Sequence, residues 1–133
     1  MTPSIEDVAK TLKRDTDYLT VRAIESWLHV NITYRFFWYP RGTQTTWAEK
    51  TGDCTDMAQL AVQMLSFLKI PAKTMHGWGT FPWEKAPVKH DWCVARIRLI
   101  DPTTGGLSRE SRDQICDGVY GCTKYQVIGD GVW

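Results

Sequence analysis

The sequence has no excess of charge of either sign and no long apolar run. Its 133 residues carry 16 Lys and Arg against 15 Asp and Glu, for a formal net charge of +1, and the two signs are interspersed. Because nucleic-acid-binding domains concentrate basic residues, this balance argues against a nucleic-acid partner. The apolar runs are far shorter than the roughly 20 residues that a membrane-spanning helix needs. The sequence therefore predicts neither a nucleic-acid partner nor a membrane partner.

The N-terminus also lacks a basic segment followed by an apolar one. We therefore expect no export signal within this chain, which leaves its localisation open. A length of 133 residues is typical of one domain and suffices for a hydrophobic core without stabilising cross-links. We predict a single domain over residues 1–133 and expect it to be a monomer.

The cysteines lack the paired spacing of a structural zinc site. Cys54, Cys93, Cys116 and Cys122 are too far apart for such a site, and the chain has three histidines. We therefore predict no metal site. Cys116 and Cys122 could close a short disulfide loop or remain free, and we favour free thiols because an even cysteine count in a chain without an export signal says little.

What the sequence does contain is a glycine turn that leads a cysteine into an amphipathic helix. After Cys54 the apolar residues follow the 3.6-residue period of a helix packed on a core: Met57, Leu60, Ala61, Met64, Leu65 and Leu68. Asp53 suits the N-cap and Asp56 completes a capping box. A helix N-terminus stabilises a thiolate, but free cysteine is also a common buried residue. Position alone leaves both roles for Cys54 open.

The rest of the chain predicts helices first and strands later. A short helix over Ile5 to Leu12 and a second helix from Thr16 or Asp17 precede the central helix, which we expect to end near Lys69 because Pro71 follows. Strands are predicted over residues 72–79, 88–99 and 125–128, with a turn at 100–106. This order indicates an α+β domain. The aromatic segment 31–39 would form either a core wall or a substrate groove.

A catalytic cysteine needs a base within hydrogen-bond reach and a third group that orients the base. His90 opens the strongest predicted strand, and Asp101 follows eleven positions later. Two antiparallel strands could place these residues on one face. His76 is a candidate for lining the site, whereas His29 lies in the second helix and is not expected to take part.

These residues together resemble the transglutaminase-like superfamily. The resemblance rests on Gly52-Asp53-Cys54 at a helix start, Lys69-Ile70-Pro71-Ala72-Lys73 with Gly77, His90-Asp91-Trp92, and Asp101-Pro102-Thr103. It implies a papain-like α+β core with N-terminal helices and an antiparallel sheet. It also implies Cys54 as the nucleophile, His90 as the general base and Asp101 as the orienting carboxylate. We expect Trp47 to supply an oxyanion donor, and His76 and Trp92 to line the substrate site.

One feature departs from the family pattern. Only ten residues separate His90 from Asp101, and a hairpin that pairs them would turn at Ala95-Arg96, where no residue favours a tight turn. We therefore retain Asp113 and Asp117 as alternatives for the third group.

The resemblance also suggests a reaction. It implies a cysteine peptidase or isopeptidase that requires no cofactor and acts on a protein or a cell-wall peptide. One subfamily cleaves the alanine-lysine isopeptide bond of pseudomurein in archaeal cell walls, and calcium could stabilise such an enzyme, although the chain has no EF-hand-like loop. The alternatives are an inactive binding module of the same fold and an acyl-transferring transglutaminase.

Overall fold

Helices occupy the first half of the chain and the main sheet occupies the second. The computed structural model describes residues 3–101 and 103–133. Its helices are α1 (Ile5–Thr11), α2 (Asp17–Asn31), α3 (Thr43–Glu49) and α4 (Cys54–Phe67). Its strands are β1 (Thr33–Tyr34), β2 (Thr51–Gly52), β3 (Ala72–Thr80), β4 (Val88–Ile100), β5 (Leu107–Cys116) and β6 (Lys124–Asp130). The predicted α+β class is confirmed.

Side chains cap the N-termini of the three predicted helices. Ser4 and Asp7 form a capping box on α1, and the Thr16 hydroxyl accepts a hydrogen bond from the N–H of Leu19 at the start of α2. Asp53 and Asp56 cap α4 reciprocally, as expected. Helix α3 was not predicted, because its threonines are weak helix formers.

The main sheet is antiparallel, with strand order β5-β4-β3-β6. A second, two-stranded sheet pairs β1 with β2 in parallel. Helix α4 lies against the main sheet, and α1 and α2 pack beside it. The core joins the apolar face of α4 to residues of β4 and to the buried side of α2: Met57, Leu60, Ala61, Met64, Leu65, Cys93, Ala95, Ile97, Val21, Ile24 and Leu28.

Strand β4 corrects the predicted hairpin. It runs without a break from Val88 to Ile100, so no turn forms at Ala95-Arg96, and these residues instead pair with Gln114 and Asp113 of β5. The turn lies at the next segment rich in glycine, where Gly105 adopts a φ of 72° and Ile100 pairs with Leu107. The turn predicted over residues 100–106 is thus confirmed, although Pro102 lies outside the described residues.

The long helices are amphipathic components of a packed core. Within residues 3–101 and 103–133, no helix is both long enough and apolar enough to cross a bilayer. On α2, Val21, Ile24 and Leu28 are fully buried, whereas Tyr18 is 41% exposed. The carboxylate of Asp17 anchors α2 to β4 by accepting hydrogen bonds from the backbone N–H and the guanidinium of Arg98, at 2.9 to 3.1 Å.

Candidate active site

Cys54 is the first residue of α4, and its position is fixed by the turn that precedes it. A Cβ on Gly52 would lie 2.8 Å from the Cβ of Asp56, so only glycine permits this close approach. The Asp53–Asp56 capping box then holds the first turn of the helix. Cys54 is partly exposed and lines a cavity of about 330 Å³ together with His90. The thiol is therefore open to a ligand at a helix N-terminus, where negative charge is stabilised.

His90 lies beside this thiol, on the third residue of β4. Its Nε2 is 2.8 Å from Oδ2 of Asp117, which leaves Nδ1 for Cys54, whose thiol lies close enough to raise the pKa of the imidazole. The ring is 2% exposed and packs against the rings of Trp92 and Phe81. Packing and hydrogen bonding together fix the orientation of the imidazole.

The surroundings of His90 favour its charged form. Burial, the largest single influence, lowers the pKa of His90. The hydrogen bonds and negative charges of Asp117 and Cys54 together outweigh burial and raise the pKa to about 9. The imidazole is therefore protonated at neutral pH, as a partner for a thiolate must be.

Asp117 follows directly after β5 and is itself firmly held. It is 3% exposed, and Oδ2 also accepts a hydrogen bond from the Tyr125 hydroxyl at 2.6 Å. Its Oδ1 accepts one from the N–H of Val119 at 2.9 Å, and its own N–H donates to Oε2 of Glu25 on α2 at 2.9 Å. Burial and the negative charge of Asp117 raise the pKa of Tyr125, so this hydroxyl remains a donor. We refer to Cys54, His90 and Asp117 together as the Cys54–His90–Asp117 array.

A second contact fixes the distance between α4 and β4. The hydroxyl of Thr55 donates to the buried carboxylate of Asp91 at 2.5 Å, and the same carboxylate accepts from the N–H of Trp133 at 3.2 Å. Each partner is the sequence neighbour of an array residue. The contact therefore holds Cys54 and His90 in register.

Tyr34 is a candidate for the side chain that donates a hydrogen bond to the oxyanion. It lines the same cavity as Cys54. Burial, followed by the negative charges of Cys54 and Asp53, raises the pKa of Tyr34 to about 12. The hydroxyl thus keeps its proton and can donate a hydrogen bond beside the thiol.

Comparison with known proteins identifies the family. A model of the transglutaminase-like superfamily matches residues 6–111, which include Cys54 and His90. The chain belongs to the transglutaminase-like superfamily. Among functionally curated proteins, none matches it.

Three solved structures share this superfamily fold. A proposed cysteine protease from Cytophaga hutchinsonii superposes with a TM-score of 0.73 at 22% identity, covering 96% of this chain and 41% of the other. A TGase superposes at 0.56 with 14% identity, covering 75% and 30%. A proposed protease from Parabacteroides distasonis superposes at 0.56 with 15% identity, covering 95% and 27%. This chain therefore spans less than half of each, and the likeness establishes the fold.

The expectation that Asp101 orients His90 is wrong for this superfamily member. His90 and Asp101 lie near opposite ends of one strand, roughly 35 Å apart at the usual rise per residue. Asp101 instead stabilises the β4–β5 turn, where its Oδ1 accepts from the backbone N–H groups of Thr103 and Thr104 at 2.8 and 3.4 Å. Asp113, one alternative, pairs with Arg96 on the surface at 3.1 Å. The other alternative, Asp117, contacts His90.

Trp47 does not serve as the predicted oxyanion donor. Its ring is 6% exposed and stacks on Trp27 at a centroid distance of 5.1 Å. Its Nε1–H already donates to the carbonyl of Pro3 at 3.0 Å. Trp47 is therefore a core residue, whereas Tyr34, which sequence reasoning missed, lines the cavity that holds Cys54.

His76 and Trp92 do not line the cavity that holds Cys54. His76 pairs with Asp91 rather than His90 in the β3–β4 register, its Nδ1 lies 3.1 Å from the carbonyl of Gly131, and its ring contacts Trp133. Trp92 is 1% exposed and stacks on His90 at 5.7 Å. It supports the imidazole from the core and cannot touch substrate.

The aromatic segment proves to be an exposed strap and not a core wall. Phe36, Trp38 and Tyr39 are 63%, 90% and 65% exposed. Only its first strand residues pair, with β2, which places Tyr34 next to the turn before Cys54. Tyr34 lines the cavity that holds Cys54, whereas Arg35, Phe37 and Tyr39 line a separate cavity of about 630 Å³. His29, not expected to act in catalysis, lies outside the cavity that holds Cys54.

Proposed function

We propose that this protein is a cysteine-dependent hydrolase of peptide or isopeptide bonds. The observation that carries the proposal is the Cys54–His90–Asp117 array, in which a thiol at a helix N-terminus and an imidazole line one open cavity while a buried carboxylate holds the far ring nitrogen. A nucleophile, a base and an orienting group in that order are the components of acyl transfer through a covalent intermediate.

The reaction would begin with the thiolate of Cys54 attacking the carbonyl carbon of the scissile amide. The N–H of Cys54, which has no intrahelical acceptor at the first position of α4, and the Tyr34 hydroxyl would stabilise the oxyanion. Nδ1 of His90 would give its proton to the leaving amine, so that the C–N bond breaks and a thioester remains. His90 would then take a proton from water, whose oxygen attacks the thioester, so that the C–S bond breaks and a carboxylic acid leaves the Cys54 thiolate beside the protonated His90.

The substrate to test first is an alanine-lysine isopeptide. The motif resemblance alone suggests the pseudomurein bond, so peptides with an α-linked alanine-lysine bond belong in the same assay. Adding a free primary amine would reveal acyl transfer as a new amide product. Assays with and without calcium would test the stabilising ion that the resemblance implies. These arms separate substrate choice from the chemistry of the array.

The deciding experiment compares the wild-type chain with Cys54→Ala by mass spectrometry of the products. We expect wild type to release the lysine peptide and the variant to lose at least about 10³-fold in rate, because the nucleophile is gone. Hydrolysis that persists in Cys54→Ala would show the nucleophile assignment to be wrong. Absence of thiol-dependent hydrolysis of every peptide would favour a binding module.

Alkylation provides a check that needs no substrate. Iodoacetamide at pH 6 should label Cys54 first, because its thiol lines an open cavity at a helix N-terminus beside His90. Burial raises the pKa of the Cys122 thiol, and the hydrogen bond with Cys93, together with burial, raises the pKa of the Cys116 thiol. These thiols provide internal controls within the same chain, and equal labelling of all four would contradict an activated Cys54.

A further inference from the structure

A second cavity, of about 260 Å³, reaches the array from a different set of residues. Its walls include Asp117, Cys122 and Tyr125, together with Arg22 and Glu25 of α2, but not Cys54 or His90. Asp117 thus borders this cavity but not the cavity that Cys54 and His90 line. A small ion in the second cavity would meet Asp117 without passing Cys54.

Asp117 and Cys122 of this cavity form a mixed donor set with His90, whose ring contacts Asp117. A ring nitrogen of His90, a carboxylate oxygen of Asp117 and Sγ of Cys122 all lie within 4.8 Å of one another. Nε2 is the ring nitrogen on the Asp117 side. An imidazole nitrogen, a carboxylate oxygen and a thiolate sulfur are the ligands that zinc takes in proteins. We propose that these three residues form an inhibitory zinc site.

The spacing needs only a small adjustment. Tetrahedral zinc places its ligand atoms about 3.3 to 3.6 Å apart, so the sulfur must move by roughly one ångström and the His90–Asp117 contact must widen by about half an ångström. The Cys122 thiol now donates to the carbonyl of Lys124 at 3.4 Å, and giving up this weak bond frees it to turn. Water from the cavity supplies the fourth ligand.

The residues around the donors already hold one ligand in place. The Tyr125 hydroxyl and the N–H of Val119 each hydrogen-bond to one oxygen of Asp117. Such contacts orient metal ligands and strengthen metal binding. Because Nδ1 of His90 faces Cys54, the zinc site does not use the catalytic thiol, and it survives removal of Cys54.

Inhibition follows from the position of the ion. Zinc on Nε2 takes the place of the proton between His90 and Asp117. Nδ1 then holds the only proton of the ring, and giving it to the leaving amine would leave an imidazolate, so His90 no longer acts as the general acid. Zinc binding stands on its own, whereas the inhibition rests on the proposed function. The two are therefore tested separately.

Binding is tested by titrating the full-length Cys54→Ala variant with Co²⁺, a spectroscopic substitute for zinc. We expect one ion per chain, a thiolate-to-cobalt charge-transfer band in the near ultraviolet, and loss of the band when Zn²⁺ is added. Cys54→Ala/Cys122→Ser should lose the band. Cys54→Ala/His76→Asn should keep it, because His76 is not one of the three donors and contacts Gly131 and Trp133 instead. A missing band in Cys54→Ala, or a band unchanged by Cys122→Ser, would overturn the site.

Inhibition is tested by measuring hydrolysis against zinc concentration, normalised to the metal-free rate of each variant. Cys122→Ser should raise the half-inhibitory zinc concentration by at least about tenfold, since even indirect ligand contacts contribute that much. An equal half-inhibitory concentration in wild type and Cys122→Ser would overturn inhibition through this site and assign it to Cys54. If wild type hydrolyses nothing, the proposed function fails, and the cobalt titration still decides the zinc site.

Discussion

The two ends of β4 carry the same kind of chemistry in opposite surroundings. At one end, His90 is buried between aromatic rings and contacts Asp117. At the other end, Asp101 lies in a solvent-exposed turn and accepts hydrogen bonds from the turn's own backbone. Both carboxylates satisfy local donors, but only one has a titratable partner. Strand β5 runs back along β4 and ends beside His90. Its path therefore decides that Asp117, and not Asp101, joins the site.

The strongest test of this comparison exchanges one carboxylate for an amide at each end. Asp117→Asn should lower kcat/KM by about 10³-fold, because the amide can no longer stabilise the imidazolium. Asp101→Asn should stay within about twofold of wild type. Both are measured on the same peptide substrate, with circular dichroism to confirm folding. A large loss in Asp101→Asn with an unaffected Asp117→Asn would reverse the assignment.

The second test uses pH. Because the folded-state pKa of His90 is raised to about 9 from an ordinary 6.5, its charged pair with Asp117 stabilises the fold fully below about pH 6.5, and this contribution is lost as pH rises through about 9. In metal-free buffer, kcat/KM should fall over the same alkaline range as the imidazolium deprotonates.

Asp117→Asn is the control for the pH test. Urea unfolding at several pH values should show its stability difference from wild type shrinking above pH 9, since the charged pair is then absent from both proteins. Asp101→Asn should show no such alkaline change. A wild-type rate that stays constant up to pH 10 would contradict the role of a charged His90.

The smallest expected effect concerns the turn. Asp101→Ala should lower the free energy of unfolding by about 0.5 to 1 kcal/mol, because it removes exposed hydrogen bonds to the turn backbone. Its kcat/KM should remain close to that of wild type. Urea denaturation provides the measurement, and a large loss of activity without a loss of stability would contradict a purely structural Asp101.

Local patterns predicted most of the fold. The capping box at Asp53, the amphipathic face of α4 and the strand that carries His90 are all properties of consecutive residues, and the structure confirms them. Strand β5 escaped prediction because it is an outer strand with few apolar residues, so it lacks the alternation that marks a half-buried strand.

The site was predictable only as far as its local signals reached. Because β5 was not predicted, the sequence did not show that the chain runs back along β4 and brings Asp117 to His90. Asp101 was preferred for that reason. The turn at 100–106 had itself been predicted, and pairing the strands across it would have led past β5 to Asp117. Tyr34, Thr55 and Asp91 meet the site through contacts between distant segments, and a single sequence has no periodic signal for such contacts.

Helix α2 contacts the neighbourhood of both ends of β4, although none of its residues lines the cavity that holds Cys54. Asp17 binds Arg98 on β4, and Glu25 binds the N–H of Asp117. Anyone who grafts the three reacting residues onto another scaffold would therefore have to carry Glu25 with them. Without Glu25, the transplanted aspartate would lack the acceptor that positions its backbone N–H.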